Sequence, residues 1–124
     1  MPTARGTFEV KLKPEGNQQD EGRMSIDKQF HGDLEATSKG TMLAAMTAVK
    51  GSAGYVAIER VTGALAGRAG SFVLQHSGTM TRGVPEQSVT VVPDSGTEEL
   101  AGLAGRMTIV IEAGAHSYEF EYSL

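Results

Sequence analysis

A chain of 124 residues, 40% hydrophobic and 21% charged, makes one domain large enough to bury a core and is unlike a disordered segment. The absence of cysteine excludes disulfides and thiolate metal sites and suits a reducing cytoplasm. The net charge of −4, with eight basic residues scattered singly among eight acidic ones in 1–62 and three against seven in 63–124, speaks against a nucleic-acid surface.

The first ten residues alternate polar and apolar and carry no signal-peptide core. Nowhere does the chain run to the ~18 apolar residues of a membrane helix. Phe8, Val10 and Leu12 alternate with Glu9 and Lys11, which predicts a strand ended by Pro14 and Gly16. A polar loop is expected over 16–22. Met24, Ile26, Lys28 and Phe30 then share one face of a second strand, broken at Gly32. Leu34, Ala36 and Ser38 open a third, which the run 41–50 continues despite its helix-favouring Ala, Met and Leu.

A turn at 51–54 leads to a strand over 55–62, followed by strands at 69–80 and 87–92. Glycines from Gly63 to Gly70 lack the Gly-Lys-Ser/Thr ending of a phosphate loop and precede a strand, so they read as a barrel corner. At 98–102 a single helical turn is expected, with Ser95 in capping-box spacing to Glu98 and Thr97 as rival cap. Strands at 106–112 and 116–122 form a closing hairpin across Ala113–Ala115. About eight short strands with almost no helix predict an all-β domain, and the short turns favour an eight-stranded, closed, antiparallel up-and-down barrel over residues 1–124.

The string Gly67-Arg-Ala-Gly-Ser-Phe-Val-Leu-Gln-His76, the turn Val92-Pro-Asp-Ser-Gly-Thr97 before Leu100-Ala-Gly102, and the ending His116-Ser-Tyr-Glu-Phe-Glu-Tyr-Ser-Leu124 carry a resemblance. Over Gly6 to Leu124 the chain resembles a bacterial domain-of-unknown-function family, number 3224. Its members look like small eight-stranded barrels similar in fold to allene oxide cyclase and dirigent proteins. The resemblance implies a fold and no activity, and no catalytic residue of allene oxide cyclase carries over.

Strand parity selects the candidate site. Phe72, Leu74 and His76 share one face, as do His116, Tyr118, Phe120 and Tyr122. An inward imidazole would serve as general base or ligand anchor, although core histidines are commoner. Glu59 has two placements: inward with Tyr55, as an acid–base partner of His76, or outward in a cross-strand pair. The outward placement is the slightly favoured one. Tyr55, Phe72, Leu74, His116, Tyr118 and Phe120 would line a ligand site, with either Gln75 or His76 as polar anchor. Asp33, Glu35, Glu119 and Glu121 read as solvated. The histidines lack metal-ligand spacing, so neither a metal nor a cofactor is expected. Methionines such as Met42, Met46, Met80 and Met107 read as core filler.

These residues support a small-molecule binding barrel for an apolar or amphipathic ligand. A cofactor-independent isomerase, cyclase or lyase using His76, and a structural oligomerisation module, are the alternatives. Apolar residues on both faces (Val56 and Ile58 against Tyr55 and Val61, Ile109 and Ile111 against Val110) predict a homo-oligomer. No nucleic-acid or membrane partner is expected.

Overall fold

A computed structural model describes residues 2–14 and 22–124; the loop expected over 16–22 lies, except for Gly22, outside the described residues. Eight strands follow in chain order: β1 (Thr3–Pro14), β2 (Met24–Gly32), β3 (Leu34–Met46), β4 (Ala53–Leu65), β5 (Arg68–Thr81), β6 (Val84–Val91), β7 (Ala104–Glu112) and β8 (Ala115–Ser123). Each pairs antiparallel with the next, and β8 returns to β1, so the expected up-and-down barrel closes. The run after Gly40 is strand, as expected, but ends at Met46 rather than Lys50. Among the described residues no helix is long and apolar enough to cross a membrane.

Three of the hairpins turn on two residues. Ala66-Gly67, Arg82-Gly83 and Ala113-Gly114 all have positive φ at both positions, the twist that matches right-handed strands. Glycine at the second position accommodates that backbone without a Cβ penalty, so Gly67 at the corner is a turn residue and not a phosphate cradle.

Alternation then sorts side chains between core and solvent. On β4, Ala57, Glu59 and Val61 are buried while Val56, Ile58 and Arg60 are exposed. Inward residues of all eight strands, with Leu100 and Leu103, form one core. Its aromatic members interlock: Phe8–Phe30, Phe30–Tyr118 and Phe72–Phe120 have ring centroids 5.5, 5.7 and 5.8 Å apart.

The two ends of the barrel differ. One is closed by the segment between β6 and β7, where a 3-10 turn over Glu98–Leu100 buries Leu100 beside Phe72's strand. Thr97 is the N-cap position but makes no side-chain cap bond; its hydroxyl pairs with Ser71. Ser95 is not a cap either, because its hydroxyl accepts from Val73 N and donates to Val92 O. These bonds tie the turn to β5, which is a tertiary task that capping-box spacing does not register.

At the other end the barrel opens. Leu12, Met80 and Ile111 have inward parity yet are 44%, 42% and 63% exposed. Met46 is also exposed, and Met42 half-buried, so of the four methionines only Met107 fills the core as expected. The rim is where the strands outrun the layers of side chains that could cover them.

Closure is also uneven around the wall. A single residue pair, Thr90↔Arg106, joins β6 to β7, whereas β4 and β5 pair from Ala53↔Met80 to Leu65↔Arg68. From Thr90 towards the rim, β6 and β7 carry no mutual pairing among the described residues.

Deep in the barrel the Tyr118 hydroxyl accepts from Leu34 N at 2.9 Å and donates to His31 O at 2.9 Å, pinning the β2–β3 turn to β8. Burial, with Asp33 and Glu35 nearby and against the Leu34 bond, pushes its pKa up, so the donor proton stays in place. Gly6 has no room for a Cβ, which would strike the His31 carbonyl and the Tyr118 hydroxyl. Tyr118→Phe is expected to cost about 1–3 kcal/mol, read from urea unfolding, because Leu34 N loses its acceptor inside the barrel.

Candidate functional site

In the otherwise apolar interior four polar side chains meet around one carboxylate. Glu59 is fully buried, Ser38 nearly so, and Lys28 and His76 are 7% and 5% exposed. Lys28 Nζ donates to Glu59 Oε2 at 2.8 Å, and Ser38 Oγ donates to Oε1 at 3.1 Å. His76 Nε2 stands 2.9 Å from the same Oε2, but the ring N–H is not aligned on it, so the contact is a close approach with no formed hydrogen bond.

Neighbouring strands supply these groups by register. Lys28 lies opposite Ser38 across β2–β3, Gly40 opposite Glu59 across β3–β4, and Ala57 opposite His76 across β4–β5. Gly40 makes the room: a Cβ there would collide with the Ile58 carbonyl and the backbone and Cβ of Glu59. The inward Glu59 overturns the slightly favoured outward placement. A carboxylate normally avoids the interior, but here an ammonium, a hydroxyl and an imidazole take the place of water.

Burial alone would raise the Glu59 pKa. Contact with His76 and the charge of Lys28 outweigh it, and the carboxyl lies below its ordinary value. Glu59 is therefore an anion at neutral pH. Lys28 Nζ also lies 5.0 Å from the Phe8 ring centre and 5.7 Å from that of Phe30, contacts that help hold a cation away from water.

Of the expected site residues, the structure brings His76 and Glu59 together. Phe72, Leu74, Tyr118 and Phe120 face inward and belong to the packed core. Tyr55 is half-buried, covers Gly78 and accepts from Gln87 Nε2 at 3.4 Å. His116 is half-buried and packs on Phe8, with ring centres 5.2 Å apart. Gln75 points outward, which leaves His76 as the inward polar residue of that pair.

Asp33 and Glu35 are exposed and bond backbone N–H groups of Arg5 and Gly32; Glu119 and Glu121 are exposed too. Among the described residues no three histidines or carboxylates are grouped to hold a metal. Lys28 and Ser38 were not singled out by sequence reasoning. The signal was present: Lys28 shares the apolar face of Met24, Ile26 and Phe30, and Ser38 that of Leu34 and Ala36. A lysine at an apolar parity position needs a buried anion, and only the register shows that Glu59 provides it.

The model of a protein family of unknown function, DUF3224, matches residues 4–122. A crystal structure of a DUF3224 protein of unknown function from Shewanella oneidensis MR-1 is similar throughout. The two are 55% identical, the match covers 100% of this chain and 97% of that one, and the TM-score is 0.95. No curated protein matches the chain. Sequence and barrel agree, and the chain belongs to the DUF3224 family.

Proposed function

We propose that the protein is a small-molecule binding barrel that seats an amphipathic ligand with its polar end on the Lys28–Glu59–His76 cluster. One observation carries this reading: ion-paired groups lie inside an apolar barrel whose near end is open. A purely structural core gains little from such a cluster, since apolar residues of equal volume hold a fold as well or better. The ligand's apolar part would run towards the open end, where Ile111 has inward parity and is exposed. A fluorescent amphipathic probe is expected to saturate at about one per chain, with affinity at least about tenfold weaker in His76→Ala, whose unfolding remains cooperative. Absence of saturable binding, or an unchanged affinity in that variant, overturns the reading.

The Glu59–His76 contact supports a second reading, a cofactor-independent isomerase. A carboxylate beside Nε2 favours the tautomer that leaves Nδ1 as the base, and the Lys28 ammonium would polarise a carbonyl. Deuterium entering the α-carbon of a bound ketone at a rate that falls in His76→Ala would separate this from simple binding.

Self-association rests on a different surface. Leu43 lies opposite Val56, and with Ile58 and the uncharged Thr41, Gln75 and Ser77 they form an exposed outer face on β3–β5. A second copy related by a two-fold axis meets no like charge there. Sedimentation at micromolar concentration is expected to give a dimer, and a monomer at 13.0 kDa refutes it.

A further inference from the structure

Resting on the binding-barrel reading, we infer that the ligand is an anionic amphiphile. Its carboxylate sits between Lys28 and His76, and its apolar chain leaves through the unpaired seam between β6 and β7. The seam comes from the register. Among the described residues Thr90↔Arg106 is the sole pair joining these strands, so the wall is unstitched over Val84–Val89 and Met107–Glu112. On β7 the inward residues beside it are Met107, Ile109 and Ile111, all apolar, and on β6 they are Val89, then Gln87, whose amide is held by Tyr55, and Pro85; exposure rises from 1% at Val89 to 63% at Ile111. His76 lies directly opposite Val89, at the inner end of that strip. A chain lying along the seam therefore ends at the imidazole.

The cluster is short of acceptors at that point. An ammonium has three donors, and Lys28 spends one on Glu59. His76 Nε2 is buried 2.9 Å from Glu59 Oε2, which Lys28 already occupies, and makes no aligned bond to it. A carboxylate takes charge-assisted bonds from both, which a hydroxyl of equal size does less well.

Charge balance makes the assignment more specific. Lys28 and Glu59 already cancel, so an added anion leaves a net negative interior unless His76 holds a proton. The charged groups facing His76 are Glu59 from β4 and Lys28 from β2. β6 presents Val89, and β8 presents His116 on the Phe8 side of the barrel. The complex would thus contain two cations and two anions, and carboxylate binding would take up a proton on the imidazole.

The test compares the intact protein's affinity for n-alkyl carboxylates of six to ten carbons with that for the matching alcohols, by titration calorimetry. Buffers of different ionisation enthalpy report proton uptake. Expected are a carboxylate preference of at least about tenfold, proton uptake with the carboxylate alone, and loss of the preference in Lys28→Met. Ile109→Asp, placed in the seam away from the cluster, is expected to weaken both series, and it guards against a Lys28 variant that fails to fold. Equal binding of acids and alcohols overturns the anion assignment while leaving the binding-barrel reading standing. Full affinity in Ile109→Asp overturns the seam, and tight carboxylate binding without proton uptake overturns the charge balance. Binding of neither series overturns both the inference and the reading beneath it.

Discussion

Glu59→Ala is expected to lower the free energy of unfolding by about 3–5 kcal/mol, read from urea denaturation at neutral pH. Removing the carboxylate leaves Lys28 with no anion at the 2.8 Å contact and Ser38 with no acceptor, both inside the barrel. The loss measures an orphaned charge rather than the worth of the ion pair. Replacing the cluster as a whole separates the two. Lys28→Met, Glu59→Leu and His76→Leu combined are expected to restore most of the stability while abolishing probe binding. A triple variant as unstable as Glu59→Ala would mean that the cluster serves the fold and not a ligand.

The same carboxylate makes stability depend on acid. Burial pushes the Glu59 carboxyl up, but His76 and Lys28 bring it below its ordinary value of 4.5. As pH falls, the unfolded chain takes the proton first. The ionised group's contribution is therefore full above pH 4.5 and drains away as pH drops through the folded value. The gap in thermal midpoint between the natural protein and Glu59→Gln should narrow below pH 4.5 and stay constant above it. A gap independent of pH would contradict an ionised Glu59.

Phe30→Ala is expected to cost about 3–5 kcal/mol as well, for a different reason. Phe30 has no exposed surface and packs on Phe8 and, edge-on, on Tyr118, so it joins β1, β2 and β8. The surrounding strands are held by the ladder and cannot collapse onto the space left. The urea slope should stay unchanged while the midpoint falls. Because Lys28 Nζ also faces this ring, the variant should weaken carboxylate binding beyond its effect on folding.

Strand parity was legible because alternation in a half-buried strand is local chemistry. Phe72, Leu74 and His76 must share a face whatever surrounds them, and 98–102 must break the strand pattern because Gly102 and the preceding residues cannot continue it. The corner within Gly63–Gly70 and the hairpin at Ala113–Ala115 were legible from their glycines, but that the chain turns there and at Arg82-Gly83 on two residues only emerged from the pairing. Parity says which residues go together, but the direction of the whole set depends on what the other strands bury. On β4 both faces carry apolar residues, and that symmetry left Glu59 undecided.

The strand order followed from short turns, and the barrel from the number of strands and the family resemblance. All of that was in the sequence. What it left open was which polar groups share a layer, since Lys28, Ser38, Glu59 and His76 are brought together by register across β2 to β5 and not by spacing. It also left open the two places where the wall is incomplete, the open rim and the β6–β7 seam. Pairing across a sheet is a non-local balance of hydrogen bonds, twist and packing. Local alternation determined what each strand could bury, and only the closed barrel decided that a lysine, a glutamate and a histidine would be buried together.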